Sequence, residues 1–252
     1  MAFNFNEISM KIIICPDVHG RTFWKEAQKR IDEVDQVVFL GDYLDPYSHE
    51  SITFEDAVME FEDILAFKEV YPDKVVLLLG NHDMHYLILG FMNCSRLNVY
   101  RRLEIHDIFM NNIDKFQLIY ETENYLFSHS GLYREWMDKY ELSLDDLKDY
   151  KTFLKDRWET LQDVGYERGG WDKVGSCIWA DIRESVDNEL YSDKRQIVGH
   201  TQLSENPYIT SKIACLDVRK CFMFKILQYF FHIIFNKTFI NFSISTIRRI
   251  HQ

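Results

Sequence analysis

Short apolar runs and longer amphipathic stretches alternate along the first third of the chain. Ile12–Cys15, Val37–Leu40 and Val75–Leu79 are continuous apolar runs of strand length. Between them, Thr22–Ile31 is predicted as a helix, and so is Phe54–Val70, whose apolar residues recur at helical spacing. Strands that are apolar on both faces are typical of buried parallel sheets, whose strands are joined by right-handed crossovers. The pattern therefore predicts an α/β fold.

The rest of the chain is predicted to be more helical before it returns to strands. Leu142–Leu161 is predicted as one charged amphipathic helix, with Ser143 as its N-cap and Asp146 three residues later. Phe116–Tyr120 and Tyr125–Ser128 are predicted as paired strands. Two further helices and three further strands are predicted at Met84–Phe91, Leu97–Met110, Gln196–Val198, Ile213–Leu216 and Cys221–Ile226.

Residues 1–226 are predicted to form one domain, because the chain shows no internal repeat and no linker rich in Pro, Gly or Ser. Residues 227–252 form an atypical tail that is apolar, aromatic and basic, and no acidic residue follows Asp217. A further sheet strand or a helical cover is favoured there. A membrane-surface contact ending in Arg248–Arg249 is disfavoured, because central Lys and Asn residues are costly in a bilayer. A shifted reading frame is a further explanation of the tail.

Composition and charge narrow the class of protein. The chain has 252 residues, of which 46% are hydrophobic and 27% charged, and this balance excludes wholesale disorder. The formal net charge of −11 disfavours nucleic acid as a partner, because phosphate backbones attract basic surfaces. Five scattered cysteines form no CxxC pair, and the apolar run near the N-terminus is too short for a signal peptide. We therefore expect a cytoplasmic protein without a disulfide framework.

Chemistry-bearing side chains follow the predicted strands at the points where they end. Ligands bind outside the carboxyl ends of the strands in open α/β folds. Each residue alone has an ordinary explanation as a turn or rim residue, but their coincidence at five strand ends favours a shared site. A mixed set of nitrogen and oxygen donors without cysteine suits Mn²⁺, Fe or Zn²⁺. The segments are Asp17-Val18-His19-Gly20, Gly41-Asp42-Tyr43-Leu44-Asp45, Gly80-Asn81-His82-Asp83, Ser128-His129-Ser130-Gly131 and Gly199-His200-Thr201.

This series of motifs (DVHG, GDYLD, GNHD, SHSG and GHT) resembles the calcineurin-like metallophosphoesterase superfamily. The resemblance covers roughly residues 11–226. It is closest to the branch that holds bacterial and phage Ser/Thr-type phosphatases and diadenosine-tetraphosphate hydrolases. It implies an α/β fold in which two packed mixed β-sheets are flanked by helices, an αββα sandwich with metal ions at the strand ends.

The resemblance also implies a ligand set for two divalent metal ions. Mn²⁺ is the first expectation, with Fe, Zn²⁺ or Mg²⁺ as alternatives. In the family, a hydroxide between the two ions attacks phosphorus. The first ion would be bound by Asp17, His19 and Asp42, and the second by Asp42, Asn81, His129 and His200. Asp17 and His19 are two residues apart, so an extended backbone would direct both side chains to one side.

By the same analogy, His82 protonates the departing oxygen, and Asp45 orients His82 and holds it protonated. Two alternatives stay open for the neighbouring carboxylates. Asp45 is alternatively a helix or turn cap before Pro46. Asp83 is alternatively the partner of His82 or a cap of the helix that follows.

The sequence departs from the protein-phosphatase branch in one place. That branch normally has a phosphate-binding Arg after the second motif, where this chain has Pro46-Tyr47. Arg21 and Arg183 are weak candidates for substrate binding in its place. Tyr43 and Tyr47 are candidates for lining a substrate cleft. His85 has no motif context.

The substrate stays open at this point. A phosphoprotein, a phosphorylated small molecule such as a dinucleoside polyphosphate, and a nucleic-acid diester all fit the chemistry, and the acidic net charge disfavours long nucleic acids. The alternative to an enzyme is a non-catalytic binding module on the same fold, because fold does not fix function.

Overall fold

Two β-sheets packed face to face form the centre of the molecule. The computed structural model describes residues 10–226, 231–235 and 238–241. Within these residues, one sheet has seven strands in the order β12-β11-β10-β1-β2-β3-β4, and the other has five in the order β5-β6-β7-β9-β8. The strands are β1 (Met10–Cys15), β2 (Gln36–Phe39), β3 (Val75–Leu78), β4 (Phe116–Gln117), β5 (Ile119–Glu121), β6 (Tyr125–Ser128), β7 (Arg195–Val198), β8 (Tyr208–Ile209), β9 (Ile213–Cys215), β10 (Phe222–Ile226), β11 (Phe231–Phe235) and β12 (Thr238–Asn241).

The predicted parallel strands lie at the centre of the larger sheet. β1 pairs in parallel with β2, β2 with β3, and β3 with β4. Because side chains alternate along a strand, Ile12 and Ile14 pack between the two sheets, whereas Ile13 packs toward the helices. Both faces are therefore buried, which explains why these strands are continuous apolar runs. The structure confirms the predicted α/β fold of two packed mixed sheets flanked by helices.

Helices cover the outer faces of the sheets, at α1 (Lys25–Lys29), α2 (Phe54–Val70), α3 (Asn81–Leu87), α4 (Arg102–Asn111), α5 (Arg134–Lys139), α6 (Leu144–Lys148) and α7 (Tyr150–Asp156). The prediction for α2 is confirmed at both ends, because a Thr53–Asp56 capping box begins it and Pro72 follows it. The predicted helices over Thr22–Ile31, Met84–Phe91 and Leu97–Met110 exist in part, with shifted or shorter bounds.

The single helix predicted over Leu142–Leu161 is wrong. Its Ser143–Asp146 capping box is present, but the first helix ends after one turn. Asp149, with φ −79° and ψ 55°, lies between α6 and α7, and a 3₁₀ segment follows at Trp158–Gln162. A non-helical ψ at one residue breaks the hydrogen-bond ladder, and amphipathic spacing alone does not reveal it.

The tail begins as a continuation of the larger sheet. β10 pairs antiparallel with β1, β11 with β10, and β12 with β11. Of the two favoured alternatives, a further sheet strand or a helical cover, the structure shows strands at β11 and β12. Residues 227–230, 236–237 and 242–252 lie outside the described residues, and so does the predicted Arg248–Arg249 contact. The domain boundary at residue 226 stays a prediction. No helix among the described residues is long and apolar enough to cross a lipid bilayer.

Candidate metal centre

The loops that follow β1, β2 and β7 have unusual backbone conformations. His19, Asp42, Asp45 and His200 have positive φ angles of 46°, 55°, 61° and 64°. Non-glycine residues in this region are uncommon, and each costs about 1–3 kcal/mol. The expectation of an extended backbone from Asp17 to His19 is therefore wrong. The two side chains nevertheless meet in one cluster with Asp42.

A backbone carbonyl orients His19. The Nδ1 atom of His19 donates to the carbonyl oxygen of Leu44 at 2.7 Å, and the backbone amide of His19 donates to the carbonyl of Asp42 at 2.7 Å. Because Nδ1 carries the hydrogen of the neutral ring, Nε2 presents a lone pair, 3.6 Å from Asp42 Oδ2. Metal-binding histidines are commonly oriented in this way.

His129 is oriented in the same manner on the other side of Asp42. Its Nδ1 atom donates to the carbonyl of Leu40 at 2.7 Å. Its Nε2 atom lies 3.5 Å from Asp42 Oδ2, 3.1 Å from Asn81 Oδ1 and 3.0 Å from His200 Nδ1. In the neutral ring, the Nε2 lone pair therefore faces two acceptor oxygens. Acceptors that face one another without a hydrogen between them repel, and a cation would remove this repulsion.

The spacing of these atoms fits shared cations. Donor atoms that share one ion at about 2.1 Å lie roughly 3.0–3.4 Å apart, close to the separations around Asp42 Oδ2. Each of two groups, Asp17–His19–Asp42 and Asp42–His129–His200, has its donor atoms within 4.8 Å of one another. The Nε2 atom of His200 is buried and has no hydrogen-bond partner among the described residues. The residues present therefore fit two divalent cations that share Asp42.

Two glycines allow the backbone to approach the carboxylates closely. The amide of His82 donates to Asp42 Oδ1 at 2.9 Å, and the amide of His200 donates to Asp17 Oδ1 at 2.9 Å. A Cβ atom at Gly80 would overlap Asp42 Oδ1, and a Cβ atom at Gly199 would overlap Asp17 Oδ1. Glycine is therefore required at both positions.

Burial shifts the pKa values of the ionisable groups in the site. Burial, together with the neighbouring charge of Asp17, raises the pKa of Asp42 well above its usual range. Burial lowers the pKa of His19 and of His200 well below theirs, and nearby positive charges act in the same direction. The imidazoles of His19 and His200 are therefore neutral and able to bind a metal.

The structure brings all six predicted ligands together, and we call Asp17, His19, Asp42, Asn81, His129 and His200 the six-residue cluster. His82 lies beside it, with its ring centroid 5.1 Å from that of His19. The Nδ1 atom of His82 donates to Asp45 Oδ2 at 2.7 Å, so its Nε2 atom is directed away from Asp45. Burial lowers the pKa of His82 to about 4, even though Asp45 opposes the shift, so the expectation that Asp45 holds His82 protonated is wrong before a substrate binds.

Asp45 is fully buried and binds side chains rather than capping a turn. Besides His82, it accepts from Tyr86 Oη at 2.6 Å and lies 2.8 Å from His85 Nε2. Burial raises the pKa of Asp45, but the hydrogen bonds from His82 and His85 outweigh it, and the pKa is lowered overall. The carboxylate therefore stays charged next to the two histidines.

Asp83 is a helix cap, and the alternative that made it the partner of His82 is wrong. Its Oδ2 atom accepts from the amides of Gly80 at 2.7 Å and Asp42 at 2.8 Å, and its Oδ1 atom accepts from the amide of Tyr43 at 3.0 Å. Asp83 therefore ties the second motif to the start of α3.

The two predicted substrate-binding arginines are bound to carboxylates. Arg21 is buried, makes two hydrogen bonds to Glu50 at 2.8 and 3.0 Å, and donates to the carbonyl of Asp17 at 3.1 Å. Arg183 is more than half exposed and pairs with Asp181 and Glu167. Their roles in substrate binding stay predictions.

Sequence reasoning missed His85 and Arg96 at this site. His85 lies three residues after His82, so the helical spacing of α3 was a usable signal for it. Arg96 lies in the loop before α4, and its Nη2 atom is 3.4 Å from His82 Nε2. No motif marks Arg96, because a loop conformation positions it. Of the two cleft candidates, Tyr47 stacks with Arg96, whereas Tyr43 is buried in the core and donates to the carbonyl of Leu78.

The sequence profile of the calcineurin-like phosphoesterase family matches residues 10–215. Among solved structures, the fold is similar to the cold-active protein-tyrosine phosphatase of the psychrophile Shewanella sp., with 16% identity, coverage of 93% of this chain and 80% of that one, and a TM-score of 0.59. It is also similar to a protein serine/threonine phosphatase from Saccharomyces cerevisiae, with 15% identity, coverage of 86% and 73%, and a TM-score of 0.50. Identities this low show a common fold only.

Two packed sheets with carboxylate, amide and imidazole donors gathered at the strand ends define a metallohydrolase of the αββα type. The chain belongs to the calcineurin-like phosphoesterase family and is a metal-dependent enzyme that hydrolyses phosphoesters.

Proposed function

We propose that this enzyme uses two divalent metal ions, of which Mn²⁺ is the first candidate, bound by the six-residue cluster. The observation that supports this most is the position of Asp42 Oδ2, which lies 3.6 Å from His19 Nε2 and 3.5 Å from His129 Nε2. One carboxylate oxygen between two imidazole lone pairs is the arrangement expected of a bridging ligand. When bound, two such ions supply an activated water and positive charge for the phosphoryl oxygens.

His82 transfers the proton to the departing oxygen in this proposal. Its Nδ1 atom is bound to Asp45, so only Nε2 is available to a substrate. A pKa of about 4 keeps His82 neutral before substrate binds. A bound phosphate group brings negative charge beside the ring and, together with Asp45, favours the imidazolium form. His82 would therefore take up its proton as the substrate arrives.

The proposed substrates are phosphorylated proteins or phosphorylated small molecules, including dinucleoside polyphosphates. Both similar structures are described as protein phosphatases, which supports the first class without selecting it. The five cysteines are free thiols, which supports a reducing compartment such as the cytoplasm.

The experiment measures bound metal and hydrolysis on the same samples. We expect about two Mn²⁺ ions per chain by elemental analysis and hydrolysis of 4-nitrophenyl phosphate, because the donor sets are complete. Asp42→Asn should lose metal and lower kcat/KM by roughly 100-fold or more, since it weakens a ligand that both ions share. Asp163→Asn, which alters a carboxylate paired with Lys139, should leave both readouts unchanged.

Two other outcomes would contradict the proposal. Fewer than one ion per folded chain, without hydrolysis, would favour a non-catalytic binding module. Full metal content and full activity in Asp42→Asn would show that Asp42 is not a bridging ligand. If the wild-type enzyme is active, its relative rates on a phosphopeptide, diadenosine tetraphosphate and bis(4-nitrophenyl) phosphate rank the substrate classes.

A further inference from the structure

Arg96 lies on the loop between α3 and α4, and two contacts outside this loop position its side chain. Its Nε atom donates to the carbonyl oxygen of Asp45 at 2.8 Å. The face of its guanidinium lies 3.8 Å from the centroid of the Tyr47 ring, a separation typical of a strong cation–π contact. Its own backbone has a positive φ of 66°, a conformation that persists only where the surroundings impose it.

The charge of Arg96 has no carboxylate partner. Within the part of the chain that the structure describes, no acidic oxygen lies within 4.0 Å of its side-chain nitrogens, whereas Arg21 pairs with Glu50 and Arg183 with Asp181. Its Nη2 atom instead points to the catalytic side of the site, 3.4 Å from His82 Nε2. A guanidinium has five donors in a planar fork and suits phosphate oxygens.

The position of Arg96 relative to His82 limits what it can touch. Nε2 is the only atom of His82 available to a substrate, because Nδ1 is bound to Asp45. Because Arg96 Nη2 lies 3.4 Å from His82 Nε2, one oxygen has room to lie within hydrogen-bond reach of both atoms. The ring of Tyr47 closes the same space from the side, with its centroid 5.2 Å from that of His19. The reacting phosphate group would therefore meet both His82 and Arg96.

We propose that Arg96, supported on Tyr47, binds terminal oxygens of the phosphate group and makes this site selective for phosphomonoesters over phosphodiesters. This inference rests on the proposed phosphoesterase function. A phosphomonoester carries up to two negative charges and three terminal oxygens, whereas a diester carries one charge and two terminal oxygens. An unpaired cation with a fork of donors therefore gains more from the monoester. The segment Pro46-Tyr47 lacks an arginine of its own but supplies the ring on which Arg96 rests.

The test compares two esters of one leaving group in the Mn²⁺-loaded enzyme. Arg96→Gln should lower kcat/KM for 4-nitrophenyl phosphate by about 100-fold or more, and for bis(4-nitrophenyl) phosphate by less than about tenfold. Arg96→Lys keeps the charge without the planar fork and should recover part of the loss. Arg30→Gln, a surface arginine paired with Glu33, is the matched control and should change neither value.

The binding of inorganic phosphate, measured by titration calorimetry, gives a readout that does not depend on turnover. Arg96→Gln should weaken phosphate binding by at least about tenfold, with unchanged bound metal and an unchanged melting temperature. Tyr47→Ala should weaken it as well, whereas Tyr47→Phe retains the ring and should not.

Failure of this inference differs from failure of the proposed function. Equal losses on the two esters, together with unchanged phosphate affinity in Arg96→Gln, would overturn the role of Arg96 while leaving the phosphoesterase intact. If the wild-type chain hydrolyses neither ester, the proposed function fails. The phosphate titration then still decides whether Arg96 binds phosphate.

Discussion

Asp45 satisfies its buried charge with three side chains, His82, His85 and Tyr86. The Nδ1 atom of His85 accepts from the amide of Cys94 at 3.2 Å, so Nε2 carries a hydrogen and lies 2.8 Å from Asp45 Oδ2. This network fixes the tautomer and the orientation of His82 from behind. Asp45 is therefore a positioning residue in the proposed mechanism.

Replacing Asp45 by Asn separates positioning from metal binding. Asp45→Asn removes the charge that stabilises the imidazolium of His82, so we expect kcat to fall by roughly 10- to 1000-fold. The metal content and the KM should change little, and the alkaline limb of the pH–rate profile, on which His82 loses its proton, should shift to lower pH. The measurement is a pH–rate series with elemental analysis of the same samples. A parallel loss of bound metal would instead identify Asp45 as a ligand.

At the scale of single elements, a short 3₁₀ segment at Ile182–Val186 carries a buried carboxyl group. The side chain of Glu184 is 3% exposed, and its Oε2 atom accepts from the amide of Gly175 at 3.0 Å. Burial is the main cause that raises its pKa to about 7. The folded state therefore binds a proton that the unfolded state releases at lower pH.

The sign of the resulting pH dependence follows from linkage. The contribution of Glu184 is present in full below the unfolded pKa of about 4.5 and is lost as the pH rises through about 7, at a cost of at most about 3 kcal/mol. Glu184→Gln keeps an acceptor for Gly175 and removes this titration. We expect its free energy of unfolding to fall less steeply between pH 5 and 8 than that of the wild type, as measured with denaturant. Parallel slopes would contradict the assignment.

A helix or strand could be predicted where the residues that start, stop and pattern it lie within or next to it in the sequence. α2 has a capping box, an apolar stripe and a proline beyond its end, and each signal acts locally. The break at Asp149 between α6 and α7 has no such signal, because spacing on both sides continues in register. The conformation of the loop that carries Arg96 could not be predicted from the local sequence either, since it depends on Asp45 and Tyr47, about fifty residues away.

For the whole molecule, the parallel order of β1, β2 and β3 explains why four members of the six-residue cluster could be predicted at one edge. His129 and His200 follow β6 and β7, a parallel pair in the other sheet, and only the resemblance joined them to the first four. Parallel strands end at one edge, so motifs far apart in sequence converge once the strands are recognised. The strained φ angles of His19, Asp42, Asp45 and His200 could not be predicted, because they depend on contacts between loops of different strands.

Metal binding should also contribute to the stability of the whole fold. The buried carboxylates of Asp17 and Asp42 repel each other without cations, and ions that bind only the folded state stabilise it by mass action. At 100 times the dissociation constant, this amounts to about 2.7 kcal/mol, or a rise in melting temperature of roughly 5–10 °C. Calorimetry with Mn²⁺ and with a chelator tests this. Identical melting curves would contradict it.

The most direct measurement is anomalous X-ray scattering from crystals of the Mn²⁺-loaded protein. The account predicts two peaks, one among Asp17, His19 and Asp42 and one among Asp42, Asn81, His129 and His200, with the Asp42 carboxylate between them. A single peak, or ions bound elsewhere while these side chains remain without metal, would contradict it.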